Sequence, residues 1–387
     1  MADSFTESSH QSWGSRIVSS ITGIIVGVLF IPGAIILLSW NEHRAITTTR
    51  SLKEAATQVV DITADKVDPA NDGKLVHITG PVTTKAGVSD STFDVSAPAL
   101  RLNRNVEMYQ WKETKSSEEK KNLGGSTETV TTYKYEKEWS GEVIDSSDFK
   151  EKDGHANPES MLAKSKTFLA SDATLGAFAV PEKIVQMMDG DEAITPTKEN
   201  FDALPEELKS RGHLTDEGYY FGKNPDTAVV GDQKVKFEVL KTGTFSIMAQ
   251  QNGSTFQPYQ TKAGDEIERV ESGTVDAKLM FAHAASENTI ITWLVRLFGL
   301  ILMWIGFGMI FKPLAVLADV IPFFGDIVGA GGGLVALLMA FVGTFATVAI
   351  AWLVVRPLLG GTLLIIAVAA LVFAGKAAAS RLRKKAS

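Results

Sequence analysis

Residues 334–355 read LVALLMAFVGTFATVAIAWLVV, 22 positions without a single charge. At ~1.5 Å of rise per residue a helix of that length covers roughly 33 Å, enough for a hydrocarbon core of ~30 Å. Working outward, 290–311 is equally long and carries one charge, Arg296. Residues 358–374 add 17 more uncharged positions, at the lower edge of the spanning range. Three C-terminal membrane helices are therefore expected. The interval 312–333 breaks the pattern with Pro313, Asp319, Pro322, Asp326 and five glycines. An Asp at a helix centre costs ~2.5–3.5 kcal/mol in a membrane, so a crossing here is disfavoured. Phe323 and Phe324 are too apolar for a solvated loop. The interval reads as an interfacial or re-entrant segment, with Asp319 and Asp326 toward water or headgroups and the two phenylalanines toward acyl chains. Its glycine run is expected to bend the chain into the span at Leu334.

Near the N-terminus, 17–40 is a 24-residue apolar run ending at Trp40, Asn41 and Glu42. The apolar region of a secretory signal is shorter, ~7–15 residues, so the run reads as a retained helix with Trp40 as an interfacial anchor. Pro32 is expected to kink it. Ser19, Gly23 and Gly27 lie four apart, a spacing that lets two helix backbones approach closely. They are the candidate residues for helix packing and self-association. Residues 1–15 read as polar and disordered, within a cytoplasmic tail of 1–16. Five basic residues in 375–387 (Lys376, Arg381, Arg383, Lys384 and Lys385) place the C-terminus in the cytoplasm. With four spans the N-terminus lies on the same side and the polar body, 41–289, outside. The fold class is thus an integral membrane protein with four transmembrane α-helices, one N-terminal and three C-terminal, plus a large extramembrane α+β domain rich in β-strands.

The whole chain has 38 Lys and Arg against 45 Asp and Glu, and residues 41–291 hold 29 and 41 of them. That acidic surface has no basic stripe to neutralise phosphates, which argues against nucleic acid as a partner. The chain has no cysteine, which excludes disulfides, thiolate metal sites and cysteine nucleophiles. Strand signals are frequent. Val106, Met108 and Gln110 alternate with Glu107, Tyr109 and Trp111, and Tyr133, Tyr135 and Trp139 share one face of a second run. The charged interval 115–128 between them reads as an exposed hairpin loop. A second β group holds Val235, Phe237 and Val239, then Phe245, Ile247 and Ala249, with a tight turn at Asn252-Gly253. Residues 157–188 read as helical, and Pro181 as the break or start of a further helix. The sequence therefore predicts two β-rich lobes separated by a helical insert.

Chemistry-bearing motifs are sparse. The six histidines show no i,i+3 or i,i+4 pairing that would build a helical metal face. His77 lies inside a strand and reads as packed; His155 precedes Asn157-Pro158 and reads as setting a turn or cap. Asp145, Asp148 and Glu159 read as solvated surface acids. There is no nucleophile elbow, phosphate loop or dinucleotide fingerprint. No cofactor, metal or catalytic residue is expected. Arg296, inside a span, reads as snorkelling to headgroups or as pairing with an acidic residue or a lipid phosphate.

Several stretches together resemble the LUMA family of membrane proteins. They are Leu38-Ser39-Trp40-Asn41-Glu42 with Arg44-Ala45, Gly73-Lys74-Leu75-Val76-His77-Ile78 and Val106-Glu107-Met108-Tyr109-Gln110-Trp111. Gly154-His155 with Asn157-Pro158, Asn224-Pro225, Val230-Gly231-Asp232 and Lys262 with Gly264-Asp265 follow in order. Thr292-Trp293 with Arg296, Asp319 with Pro322 and Asp326, and Trp352-Leu353 with Arg356-Pro357 complete a collinear set. The resemblance implies four spans, a large lumenal or external domain and a scaffolding role without enzymatic activity. It implies self-association and partners among membrane proteins and lipids. It also implies residence in the endoplasmic reticulum and inner nuclear membrane in a eukaryote; in a bacterium the corresponding place is the inner membrane with a periplasmic domain. A second reading is a lipid- or small-solute-handling protein with a cavity among helices two to four.

Overall fold

A computed structural model describes residues 3–355 together with 361, 362 and 365. The chain divides into two compact units. One comprises Met1–Glu7, Ser51–Ser116 and Thr131–His283; the other comprises Ser8–Arg50, Ser117–Val130 and Ala284–Ser387.

The first unit is built on two sheets, of which the smaller is mixed. In the larger, of eight strands, Ala99–Lys121 lies between Thr127–Ser140 and Gln233–Lys241, and Gly218–Phe221 and Gly212–Thr215 continue the order. In the smaller, of seven strands, Leu75–Thr83 pairs antiparallel with Gly243–Asn252 and parallel with Val60–Ile62. Register follows the apolar alternation. Leu102 faces Val239 and Val106 faces Val235 across one pair, and Ile78 faces Ile247 across the other. Two apolar clusters result. One gathers Phe93, Leu102, Tyr219 and Phe237; the other gathers Val76, Ile78, Leu175, Phe178 and Ile247. The two β-rich groups of the sequence do not form separate lobes. Both sheets mix the groups: Ala99–Lys121 of the early group pairs with Gln233–Lys241 of the late one, and Leu75–Thr83 with Gly243–Asn252, so that the alternating apolar faces meet across each pair.

Other expectations are corrected here. Of the interval 157–188, only Glu182–Met187 is α-helical; Lys166–Leu169, Thr174–Leu175 and Phe178–Ala179 are strands. Met161, Phe168, Leu175 and Phe178 pack as strand and loop residues in the two clusters, so their spacing was not a helical stripe. The expected loop at 115–128 is mostly strand, since Ala99–Lys121 and Thr127–Ser140 leave only a short turn. Within the expected disordered tail, 3–15 are ordered. Asp3–Gln11 forms the outermost strand of the larger sheet, beside Thr127–Ser140.

Among the described residues three helices, lying mainly in the second unit, are long and apolar enough to cross a membrane: Trp13–Gln58, the helix Ala277–Ala318, and Pro322–Val355. The first has 46 residues, about 69 Å at ~1.5 Å per residue, so only part of it can lie in a bilayer. It runs through Pro32, well beyond the expected 17–40. The interval 312–333 is helical except for a short turn at 319–321. The second helix continues through Pro313 to Ala318, and the third starts at Pro322 and includes the glycine run. Pro322 is tolerated because a first helical position needs no N–H partner. The glycines stay helical because flanking Ile327, Val328 and Leu334 supply a strongly apolar segment, in which a closed hydrogen-bond ladder is mandatory. The fourth expected span, 358–374, lies outside the described residues except at 361, 362 and 365.

Candidate functional site

The polar groups worth attention lie inside the helical unit, at two places. The first begins with three side chains at i, i+4 and i+8 on the second long helix: Asn288, Thr292 and Arg296. Helical periodicity lines them on one face, opposite Asn41, Glu42 and Arg44 of the first helix. The Glu42 carboxylate is 1% exposed and accepts from Arg296 Nε and Nη2 at 2.7 Å each. This fork geometry is the strong form of the pair. The same carboxylate accepts the indole N–H of Trp352, and the Arg296 guanidinium lies 4.8 Å from the Trp293 ring centre and 5.6 Å from that of Trp352. Arg44 donates to Asn288 Oδ1 at 3.0 Å and to Thr292 Oγ1 at 3.1 Å. Asn41 donates to the Thr292 carbonyl and Asn288 to the Ala45 carbonyl, at 3.1 and 3.0 Å. Arg296 therefore spends its charge on a carboxylate of the first helix, and snorkelling to headgroups is not its role here.

The second place is centred on Asp319, between the second and third long helices. Its side chain is 1% exposed, against the expectation that it faces water or headgroups. Two cations hold it: Arg16 Nη2 at 2.5 Å and Lys121 Nζ at 2.9 Å. Lys121 also reaches Asp326 at 2.8 Å. Burial lowers the Lys121 pKa, but the hydrogen bonds it donates to Asp326 and Asp319 outweigh this and hold the ammonium above its ordinary range. Arg16 Nη1 donates to the Gly125 carbonyl at 2.6 Å, and Trp13 Nε1 to the Val316 carbonyl at 2.9 Å. Gly125 has φ +81°, and a methyl group there would strike the Trp13 ring. A methyl at Gly325 would strike the Asp319 carboxylate. Phe323 and Phe324 remain exposed beside this junction, and Asp326 is exposed as well as paired.

Of the candidate packing residues, Gly27 is buried against the second helix. A Cβ there would lie 2.6 Å from the Gly306 carbonyl oxygen. Gly23 has open space around it, and Ser19 is exposed, its hydroxyl donating to the Ser15 carbonyl. The small-residue face is thus partly used within the chain. A cleft of about 330 Å³ lies between the second and third helices, lined by Gly308, Lys312, Ala315, Gly329 and Gly332 among others.

In the β body the chemistry is structural. His77 contacts Asp61 at 2.7 Å and the Val275 carbonyl at 2.9 Å. His155 is buried, stacked on Tyr135 at 4.0 Å and edge-on to Trp111. Asp145 caps a short 3-10 turn through the Ser147 N–H; hydrogen bonds from Ser147 hold its carboxyl below the usual range. Among the described residues no group of three or more His, Asp or Glu is placed to hold a metal ion. Sequence reasoning missed the roles of Arg16, Glu42, Lys121 and Trp352. The i, i+4, i+8 polar face inside an apolar run was the available signal; the partners on distant segments carried none.

The family model described as Transmembrane protein 43 matches residues 108–357. Transmembrane protein 43 of Mus musculus is 32% identical over 354 residues, covering 89% of this chain and 87% of its own length. That of Homo sapiens is 31% identical over 362 residues, covering 91% and 89%, and the Drosophila melanogaster homolog is 26% identical over 346 residues, covering 87% and 90%. No solved structure matches. A family model spanning most of the chain, and relatives more than 30% identical aligned along nearly all of it, leave one assignment: the chain belongs to the transmembrane protein 43 family.

Proposed function

We propose that this protein is a non-enzymatic membrane scaffold that organises other membrane proteins and associates with copies of itself. One observation supports the reading. In the most apolar 18-residue windows of the three long helices, only 17%, 17% and 28% of positions are buried within the chain. The bundle is internally tied by its polar junctions, so most of its apolar surface is left for lipids and for the helices of neighbours. Association in a bilayer rests on close packing and interhelical hydrogen bonds, which Gly23 and Ser19 on the first helix can supply. In a eukaryote the site of action is the endoplasmic reticulum and inner nuclear membrane, and in a bacterium the inner membrane. Native mass spectrometry of the full chain in mild detergent tests self-association. Species of two or more copies, increasing with protein concentration and reduced by Gly23→Leu, are expected; a monomer at every concentration overturns it.

A second reading, a lipid-handling protein, draws on the cleft between the second and third helices. It does not require the first.

A further inference from the structure

We infer that the cleft between Ala277–Ala318 and Pro322–Val355 binds one anionic phospholipid, with an acyl chain along the glycines and the headgroup phosphate on Lys312. This rests on the second reading above and is independent of self-association. The cleft exists because side chains are missing from both walls. A Cβ at Gly308 or Gly333 would meet nothing within 4 Å; one at Gly329 would meet only Ala315, at 3.6 Å, and one at Gly332 only Phe311, at 3.5 Å. Ile305, Phe311 and Val328 complete an apolar lining. A void of this size inside a close-packed pair of helices forfeits dispersion contacts unless something fills it. The volume, about 330 Å³, is at the low end for small-molecule pockets, and a helix about 10 Å across does not enter it. One extended hydrocarbon chain does.

Charge selects the headgroup. Lys312 is exposed at the rim and, among the described residues, makes no hydrogen bond or ion pair. Arg16, Lys121 and Arg296 of the same unit are all paired with carboxylates. Lys312 stands one residue beyond the apolar run 290–311, where a long stem lies along the apolar wall and the ammonium reaches headgroup depth. A compact, strongly hydrated ammonium suits a phosphate as a point charge.

The test is native mass spectrometry of the full chain released from micelles doped with equal amounts of phosphatidylglycerol and phosphatidylcholine. One retained adduct of phosphatidylglycerol mass per chain is expected. Gly332→Leu projects a side chain into the cleft and should abolish the adduct. Gly331→Leu, on the same helix but outside the lining and in open space, should leave it intact and controls for folding. Lys312→Gln alters an exposed, unpaired residue and should lower the preference for phosphatidylglycerol about fivefold while retaining a lipid. Adducts unchanged in Gly332→Leu, an unchanged preference in Lys312→Gln, or an adduct of fatty-acid mass each overturn the proposal. Copy number is read from the same spectra, so failure of lipid binding and failure of self-association are told apart.

Discussion

The β body and the helical unit are built inside out relative to each other. In the body, Phe93, Leu102, Tyr219 and Phe237 are 0–1% exposed, as are Val76, Ile78 and Ile247 in its other cluster. In the helical unit Asn41, Glu42 and Asp319 reach 0–1% beside a small apolar cluster of Ala34, Leu38, Met303 and Ala340, while Ile36 and Phe323 are 69% and 68% exposed. The difference teaches what the hydrophobic effect acts against. It drives apolar groups away from water, and in lipid they gain nothing by hiding. What must be enclosed there is the polar group, because hydrocarbon offers it no partner. The body also buries ion pairs, such as Arg104 with Asp90 at 2.8 Å, with the Arg104 guanidinium over the Phe93 ring.

The sharpest way to break this contrast is to open a polar junction. Glu42→Ala leaves the Arg296 guanidinium and the Trp352 indole without their acceptor, and should cost about 3–5 kcal/mol, as breaking a buried pair does. Glu192→Ala in the body removes an exposed partner of Lys241 and should cost well under about 1 kcal/mol. Thermal midpoints of the two variants in detergent, compared with the parent, read the difference; equal shifts would remove the contrast.

A smaller effect is expected where two helices touch. Gly27→Val drives a side chain into the backbone oxygen of Gly306, and overpacking of this kind costs about 1–3 kcal/mol. Gly23→Val, with open space around it, should leave the midpoint of the monomer unchanged. If Gly27→Val is also silent, the bundle is held by its polar junctions alone.

The smallest effect lies on the body's surface. Hydrogen bonds from Thr84 and from the Ala86 and Lys85 amides hold Asp172 below the usual carboxyl range, and those from Lys150 and Tyr133 do the same for Glu7. Carboxyls with folded pKa values below their unfolded ones give stability that is present above the unfolded value and is lost as pH falls through the folded one. The near-UV signal of the body should therefore melt progressively earlier as pH falls from about 5 to about 2. Asp172→Asn should flatten that dependence slightly, and a midpoint that rises on acidification would contradict it.

The outline of the chain was legible in the sequence because composition is a local property. Uncharged runs of 22 residues at 290–311 and 334–355, apart from Arg296 in the first, announce long apolar helices wherever they end up. Alternation at Val106, Met108 and Gln110, or at Val235, Phe237 and Val239, announces strands in the same way. The turn at Asn252-Gly253 was equally readable, and Gly253 does adopt φ +58°. The resemblance carried by scattered matches, such as Asn41-Glu42 with Arg296 and Trp352, identified the family without saying why those residues recur together.

Tertiary structure alone decided which of these pieces meet. Local pattern cannot say that Ala99–Lys121 pairs with Gln233–Lys241, more than a hundred residues away, since either strand would bury its face against any apolar partner. Nor can it foresee that Asp319 is neutralised by Arg16 and Lys121, three charges from three distant segments. Read singly, each is a surface charge or a topological marker. Assembled, they satisfy one another away from solvent, and it is that mutual satisfaction which turns a broken, glycine-rich interval into an ordered corner between two helices.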